Sequence, residues 1–387
     1  MNIRKTVTER YYKFLTGQPV DRIPDIEFGY WPQTVRRWLK EGLPRSLEEW
    51  WYSERERINE KEAQDVLVKK LDVFFAFDTS GEEILLRTHF NPGFPQEVIS
   101  TDGDKTFMRG QDGVISERYL SDVDESSIPH FLSFPVRTRE DWKCVRERYR
   151  GDDPTRSFPE TELVRIKSAA ESGRMIAVGM QGFYGQLRNW MGFENLSLCF
   201  YDDPALVGEM AMFWAEFCAL QIRKLPPDIP VDYVGWWEDM ASKNGPFVSP
   251  DLFRRFFLPA YKHVMEEARK RGCALSLVDC DGNPEALIPL WLEAGVNIMF
   301  PLEVTEGADH VAWRKKFGKE LLLRGGISKE AVAAGGVSID REIQRIQPLI
   351  ESGGYVPHLD HLAPPNISYK DYLEYLKKKR RAIGRPL

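Results

Sequence analysis

Two carboxylates flank a cysteine at the point where an apolar run of the sequence ends. The stretch CALSLVDCDGNPEAL, residues 273–287, begins like a buried strand and then places Asp279 and Asp281 on either side of Cys280. Burying an unpaired carboxylate is costly unless a cation or an exchangeable proton compensates its charge. The pair therefore predicts cation binding or proton transfer at this position.

Other polar side chains also directly follow apolar runs of the chain. They are Glu27, Gln181, Glu238, Asp239, Glu303, His358, Asp360 and His361. In a barrel of alternating strands and helices, the loops after the strands converge on one mouth. We therefore expect these groups to meet in one pocket. The predicted catalytic residues are Asp279, Asp281, Glu238 and His361.

Structural roles compete with these assignments. Glu27 could pair with a nearby arginine such as Arg36, and Asp239 precedes the loop MASKNGP, which it could anchor. Asp281 stands before a helix that would begin near Pro284, so its side chain could cap that helix. For Asp281 taken alone, capping is the stronger interpretation.

The elements that must position these residues follow an alternating pattern, in which short β-branched or apolar runs are separated by longer amphipathic stretches. This pattern is typical of βα units around a parallel sheet. The predicted strands are Ile23–Phe28, Asp72–Phe77, Ile176–Met180, Val231–Trp236, Ala274–Val278, Asn297–Leu302, Leu321–Arg324 and Gly354–Pro357. We therefore predict one α/β domain, residues 1–387, folded as a (β/α)8 TIM barrel with an N-terminal helical extension.

One region breaks the alternation. Residues 83–119 alternate apolar and polar side chains around the turn signals NPGFP, TDGD and GQDG. We predict that they form an antiparallel β-hairpin insertion near the mouth of the barrel.

Composition excludes several classes of function. The 387 residues carry a net charge of −6, with scattered basic residues, which argues against nucleic acid as a partner. The sequence shows neither a membrane-length apolar run nor a signal-peptide core, so we expect a cytoplasmic protein. Five cysteines without a C-x-x-C pair indicate reduced thiols. A nucleotide is not favoured either, because neither G-x-G-x-x-G nor a Walker A pattern occurs.

Several long stretches resemble the uroporphyrinogen decarboxylase superfamily. They are GQPVDRIP, VGMQGFYGQLRNWMGFENLSLCFYDDPALV, WWEDMASKNGPFVSPDLFRRFFLPAYKHV, GVNIMFPLEV, LLRGGISKEAV and GGYVPHLDHLAPPNISYKDYLEYL. The resemblance covers nearly all of the chain after Ile176. It implies a (β/α)8 barrel, as the strand count does, and it implies that the active site lies at the mouth of the barrel.

The sequence departs from both activities known in this superfamily. True decarboxylases carry an R-Q-A-G-R motif after the first strand, where this chain reads DIEFGYWPQTVRRW and offers Glu27. Thiol-activating cobalamin-dependent methyltransferases bind zinc through H-x-C-G-N and a later cysteine. By resemblance, Asp279, Asp281 and His361 stand at those three positions, so oxygen and nitrogen donors replace the thiolates. The candidate metal ligands, for a divalent ion such as zinc, are Asp279, Asp281, Glu303 and His361.

The resemblance therefore implies the demethylating branch, in which a methyl group passes from a small molecule to the Co(I) of a partner corrinoid protein that carries cobalamin. A methoxy-arene is favoured as donor and a methylamine is the alternative, because acids can protonate a departing phenolate and aromatic residues suit either ligand. The predicted substrate-binding residues are Glu27, Tyr30, Trp31, Gln181, Trp236, Trp237 and His358.

Two other functions stay open. One is a decarboxylase-like lyase that acts on a smaller carboxylate with Arg324, Arg188 and the acids of the mouth. The other is a non-catalytic member that binds a small ligand or a corrinoid protein. A homodimer is compatible with either.

Overall fold

The computed structural model describes residues 7–54, 60–119 and 129–385. The strands are β1 (Glu82–Leu85), β2 (Glu97–Asp102), β3 (Lys105–Arg109), β4 (Ile115–Tyr119), β5 (His130–Ser133), β6 (Ile176–Gln181), β7 (Tyr233–Trp237), β8 (Ala241–Ser242), β9 (Gly245–Pro246), β10 (Leu275–Asp279), β11 (Ile298–Phe300), β12 (Leu322–Ile327) and β13 (Tyr355–Leu359). Seven of them form one parallel sheet in the order β1-β6-β7-β10-β11-β12-β13. This is the α/β barrel that the alternating pattern predicts.

Helices cover the outside of the sheet. They are α1 (Arg10–Leu15), α2 (Pro32–Lys40), α3 (Arg45–Glu54), α4 (Glu60–Phe74), α5 (Arg139–Arg146), α6 (Glu160–Glu171), α7 (Phe183–Met191), α8 (Phe193–Asp202), α9 (Pro204–Lys224), α10 (Pro250–Leu252), α11 (Leu258–Lys270), α12 (Ile288–Ala294), α13 (His310–Phe317), α14 (Lys329–Ala334), α15 (Gly336–Ser352) and α16 (Tyr369–Ala382). The π-helical turn Phe253–Phe257 joins α10 to α11. The predicted N-terminal helical extension consists of α1 to α4.

An irregular segment, residues 25–31, takes the place of the predicted first strand. The Ala363 amide donates to the Gly29 carbonyl at 2.9 Å, and the Asp78 amide donates to the Asp25 carbonyl at 2.8 Å. The segment therefore lies between the chain after β13 and the chain before β1. Ile26 belongs to the apolar cluster inside the barrel. The segment fills the eighth position of the ring without forming a regular ladder.

The predicted strand Asp72–Phe77 is wrong. Residues 72–74 belong to the end of α4, where Leu71 and Phe75, four positions apart, both point into the core. The strand at this position in the ring is β1, which pairs in parallel with β6. Its sequence, EEIL, has no run of apolar residues, so a search for apolar strands misses it.

The helix α9 is a core element of the barrel's outer layer. By length and composition it could cross a membrane, but 61% of its most apolar window is buried within the fold. Val207, Trp214 and Cys218 on this helix are fully buried. Its apolar composition is therefore explained by packing against neighbouring helices.

The predicted insertion is present with different bounds. Residues 83–85 belong to barrel strand β1, and the insertion is a four-stranded antiparallel sheet in the order β2-β3-β4-β5. His130–Ser133, which the sequence analysis left outside the insertion, forms its last strand. Phe131 and Phe134 from this region face the open end of the barrel cavity.

Candidate active site

Three carboxylates meet at the mouth of the barrel. Asp279 ends β10, Asp281 follows two residues later, and Asp239 follows β7. One carboxylate oxygen from each lies within 4.8 Å of the other two. The Glu238 amide donates to the Asp279 carbonyl at 2.9 Å, which holds the ends of the two strands side by side. We call Asp239, Asp279 and Asp281 the acid cluster.

A glycine permits this close approach. Gly282 has a φ of +80°, and a Cβ atom there would lie 2.8 Å from the backbone of Ser242. A larger residue would strain the chain and push the two loops apart. The sequence C-D-G-N therefore provides both the acid and the turn that positions it.

The acid cluster holds its protons more tightly than free carboxylates do. Burial, followed by the charges of Asp281 and Asp239, raises the pKa of Asp279 well above its usual value. Burial and the charge of Glu303 raise the pKa of Asp281 to about 7. Burial also raises the pKa of Asp239, while Arg188 opposes the shift. Carboxyl groups in this state can donate a proton near neutral pH.

A second group of potential ligands adjoins the acid cluster. Ligand atoms of Asp281, Glu303 and His361 lie within 4.8 Å of one another, and His361 Nε2 is 4.0 Å from Asp281 Oδ2. The Lys329 ammonium pairs with Glu303 at 2.6 Å. The His361 ring stacks on Trp31, with ring centroids 6.3 Å apart. Burial lowers the pKa of His361, which favours the neutral imidazole.

An arginine lies on the inner wall of the barrel below these acids. The guanidinium of Arg324 is 4.9 Å from the centre of the Phe300 ring, and its Nε donates to His358 Nε2 at 3.3 Å. His358 Nδ1 donates to the Leu359 carbonyl at 2.6 Å. Both nitrogens of His358 are therefore used, and burial lowers its pKa well below the usual value. Its geometry supports a role in orienting Arg324.

Two adjoining cavities lie beside Asp239, Asp279 and Arg324. The inner one, about 440 Å³, is lined by Glu83, Asp279 and Arg324. The outer one, about 1240 Å³, extends between α7 and the insertion. Thr88, Gln181 and Trp237 line both cavities, so the two cavities adjoin at these residues.

Glu238 lies behind the barrel wall. Its carboxylate accepts hydrogen bonds from the Phe183 and Gly185 amides, both at 2.8 Å, and from the Tyr261 hydroxyl. The carboxylate therefore provides hydrogen-bond acceptors for backbone amides in the first turn of α7. Burial raises the pKa of Glu238 to about 7. These contacts support a structural role in place of the predicted catalytic one.

Two predicted substrate contacts, Tyr30 and Glu27, line neither cavity, whereas Trp236 lines the inner one although its indole packs against Phe183 and Tyr261. Tyr30 packs among core rings, and its hydroxyl accepts from Tyr372 at 3.3 Å. Trp236 is 1% exposed and donates to Ser276 Oγ at 2.9 Å. Glu27 accepts from the Tyr375 hydroxyl at 2.6 Å and pairs with Lys379, whereas the sequence analysis suggested Arg36. Tyr30 lies in the irregular segment 25–31, where its ring packs against Trp38 of α2 and Tyr372 of α16.

Several site residues escaped the sequence analysis or received another role there. Glu83 lies on the missed strand β1, and Lys329 follows the motif LRGGIS without any signal that it would reach an acid. The backbone carbonyl of Asp239 accepts from Arg188 at 2.7 Å, while its carboxylate belongs to the acid cluster, so loop anchoring by the side chain stays a prediction. Asp360 accepts from the Val304 and Lys329 amides, which joins the loops after β11 and β12.

The fold and site define an α/β-barrel protein with a polar pocket at the carboxyl ends of its strands. The sequence model of the uroporphyrinogen decarboxylase (URO-D) family matches residues 163–377, more than half of the chain. The chain therefore belongs to the uroporphyrinogen decarboxylase family.

One solved structure gives the same fold. A methyltransferase from Methanosarcina mazei superposes with a TM-score of 0.53 at 14% identity, over 98% of each chain. A B12-independent methionine synthase from Shewanella sp. W3-18-1, in complex with selenomethionine, matches at 10% identity and a TM-score of 0.34, over 57% of this chain and 65% of that one. A search of curated protein sequences finds no significant match.

Proposed function

We propose that this protein is a methyltransferase that moves a methyl group from a methylated small molecule, in the first place a methoxy-arene, to the Co(I) of a separate corrinoid protein. Family membership and the fold shared with a methyltransferase support the reaction class. The observation that carries the proposal is the acid cluster, whose pKa values are raised and whose member Asp279 lines a cavity together with Trp237.

The chemistry of a methoxy-arene requires what the acid cluster offers. The methyl–oxygen bond breaks, the methyl group passes to the acceptor, and the phenolate that leaves takes up one proton. Asp279 lines the inner cavity and has the most strongly raised pKa of the cluster, so we assign it as the general acid. The corrinoid protein supplies the nucleophilic cobalt, and must approach the open side of the mouth.

A divalent ion could take part at the same place. The ligand atoms of Asp281, Glu303 and His361 lie within 4.8 Å of one another, whereas ligands of a tetrahedral ion with bonds of about 2.0 Å lie about 3.3 Å apart. Small side-chain rotations would bring these atoms together once Lys329 releases Glu303. We propose that such an ion would stabilise the departing phenolate oxygen as a Lewis acid.

The test is methyl transfer by the purified protein. Free Co(I) cobalamin or a corrinoid protein serves as acceptor, and methoxy-arenes and methylamines serve as donors. The proposal predicts methylcobalamin formation, followed by absorbance, with a phenol released in equal amount. If no donor of either class yields methylcobalamin, the proposal is wrong.

A decarboxylase-like lyase is the second candidate, and Arg324 is the observation that favours it. This arginine lines the inner cavity with Asp279, where it could bind the carboxylate of a substrate. Carbon dioxide release from a small carboxylate in the absence of any corrinoid would select this function over methyl transfer.

A further inference from the structure

The outer cavity is much larger than one substituted ring requires. A cavity of about 150 Å³ holds a benzene molecule, and the inner cavity of about 440 Å³ suits a single substituted ring. The outer cavity adds about 1240 Å³ beyond the junction at Gln181 and Trp237. A one-ring donor would leave that space to water.

The walls of the outer cavity are suited to a second ring. Side chains of Phe90, Phe94, Phe131, Phe134 and Phe193 line it from several directions. Aromatic side chains bind planar rings by offset stacking and edge contacts. Four of these five lie in residues 88–134, outside the part of the chain that the family model matches. Most of this wall therefore comes from the part of the chain that precedes the family match.

The junction carries a polar group that a ligand could satisfy. The side-chain oxygen of Gln181 is buried and has no hydrogen-bond partner among the described residues. Buried polar atoms almost always have a partner, and ligands often provide it. A hydroxyl or N–H donor near the linker between two rings would lie beside this oxygen. Arg188, whose guanidinium is 5.3 Å from the centre of the Trp237 ring, borders the same passage.

We propose that the substrate is an extended molecule with two aromatic ring systems. The methoxylated ring occupies the inner cavity against Asp279, and the second ring occupies the outer cavity beneath the insertion. This inference rests on the proposed function for the identity of the reacting group, but the two-ring site itself is defined by the cavities.

Binding to the corrinoid-free protein tests the inference separately from catalysis. A hydroxylated methoxystilbene serves as the two-ring probe and methoxyphenol as the one-ring probe, both titrated by calorimetry. The stilbene should bind at least about tenfold more tightly, because the second ring adds stacking and buried apolar area. Equal affinity for the two probes would overturn the inference.

Two variants locate the second ring. Phe131→Ala with Phe193→Ala removes two cavity side chains that are 48% and 46% exposed, so folding should be preserved. Gly93 also lines the cavity, so Gly93→Leu should narrow it, and a Cβ at this position would make only ordinary contact with Gln111, at 3.5 Å. Both variants should weaken stilbene binding about tenfold and change methoxyphenol binding less than about twofold.

A matched control separates the cavity from the surface of the insertion. Tyr119 lies on the same antiparallel sheet and is 47% exposed, but does not line the cavity. Tyr119→Ala should leave both affinities unchanged. A uniform loss for both probes in the cavity variants, or an equal loss in Tyr119→Ala, would overturn the inference. Stilbene binding with this mutational pattern, but without methyl transfer, would instead contradict the proposed function alone.

Discussion

Two groups of buried acids in this protein have opposite electrostatic surroundings. Near the C-terminal helix, Asp25 forms ion pairs with Lys379 and Arg380, both at 2.8 Å, and it also contacts Arg385. These cations lower the pKa of Asp25 to about 2 in spite of its burial. At the mouth of the barrel, acids lie mainly beside other acids, and their pKa values rise.

The contrast separates acids whose charge is matched by cations from acids whose charge is not, and it is not absolute, because burial also raises the pKa values of the structural acids Glu27 and Glu238. A carboxylate matched by ammonium and guanidinium groups stays ionised and has no proton to give. Carboxylates that repel each other in a half-buried pocket keep a proton that a substrate can take. The Asp25 group, with Glu27, Lys379 and Arg380, fastens the irregular eighth position of the barrel to α16. The acid cluster contributes no comparable stabilisation.

Replacing Asp279 should have the largest effect on function. Asp279→Asn removes the proposed proton donor but keeps the size and much of the polarity of the side chain. We expect methyl transfer from a methoxy-arene to fall about 10²- to 10⁴-fold, with no decrease in melting temperature, because the protonated carboxyl group that the amide replaces is itself neutral. Initial rates and thermal unfolding measure the two effects. Undiminished turnover would remove Asp279 from the mechanism.

Removing a cation from the Asp25 group should affect stability most strongly. Lys379→Met leaves Asp25 and Glu27 buried without this ammonium, and breaking a buried ion pair costs about 3–5 kcal/mol. Urea unfolding gives the change in the free energy of unfolding. The neighbouring Lys378→Met serves as the control, because Lys378 pairs with Asp340 and Glu374 at the surface. That change should cost at most about 1 kcal/mol. Similar losses for both variants would contradict the contrast.

Adding a divalent ion tests whether the acids at the mouth can bind a cation. If the proposed ion binds, Zn²⁺ or Mn²⁺ at 100 times its dissociation constant should stabilise the protein by about 2.7 kcal/mol. The shift should disappear in His361→Ala, which removes one ligand. It should persist in His263→Ala, since His263 pairs with Glu216 on the surface of α9. Equal shifts in both variants would indicate binding elsewhere.

Much of the fold can be predicted from sequence, because six of the barrel strands are apolar runs that stop at a polar residue. The irregular segment 25–31 and strand β1 are harder to predict. The first depends on distant contacts with Ala363 and α16, and the second is too short and polar to stand out.

The site is predictable in part. Asp279, Asp281 and His361 each lie at or just after the end of a strand, and in a barrel the carboxyl ends of the strands meet at one mouth, so their proximity can be predicted from sequence. The inward or outward direction of Glu238 and Trp236 depends on strand register, which apolar runs alone do not specify.

The smallest effect concerns Asp72. This acid lies near the Asp25 group, but its pKa is raised, as the pKa values of the acid cluster are. Burial, and then the charge of Glu27, raise its pKa to about 7 from a usual value of 3.8. A raised carboxyl pKa means that the folded state binds the proton more tightly than the unfolded state. Ionisation therefore reduces stability as pH rises from about 4 to about 7. Asp72→Asn should be progressively more stable than the wild type across this interval, with a constant difference above it, and should leave methyl transfer unchanged. Melting temperatures measured along a pH series show this. A difference that does not vary with pH would mean that the pKa of Asp72 is not raised in the folded protein.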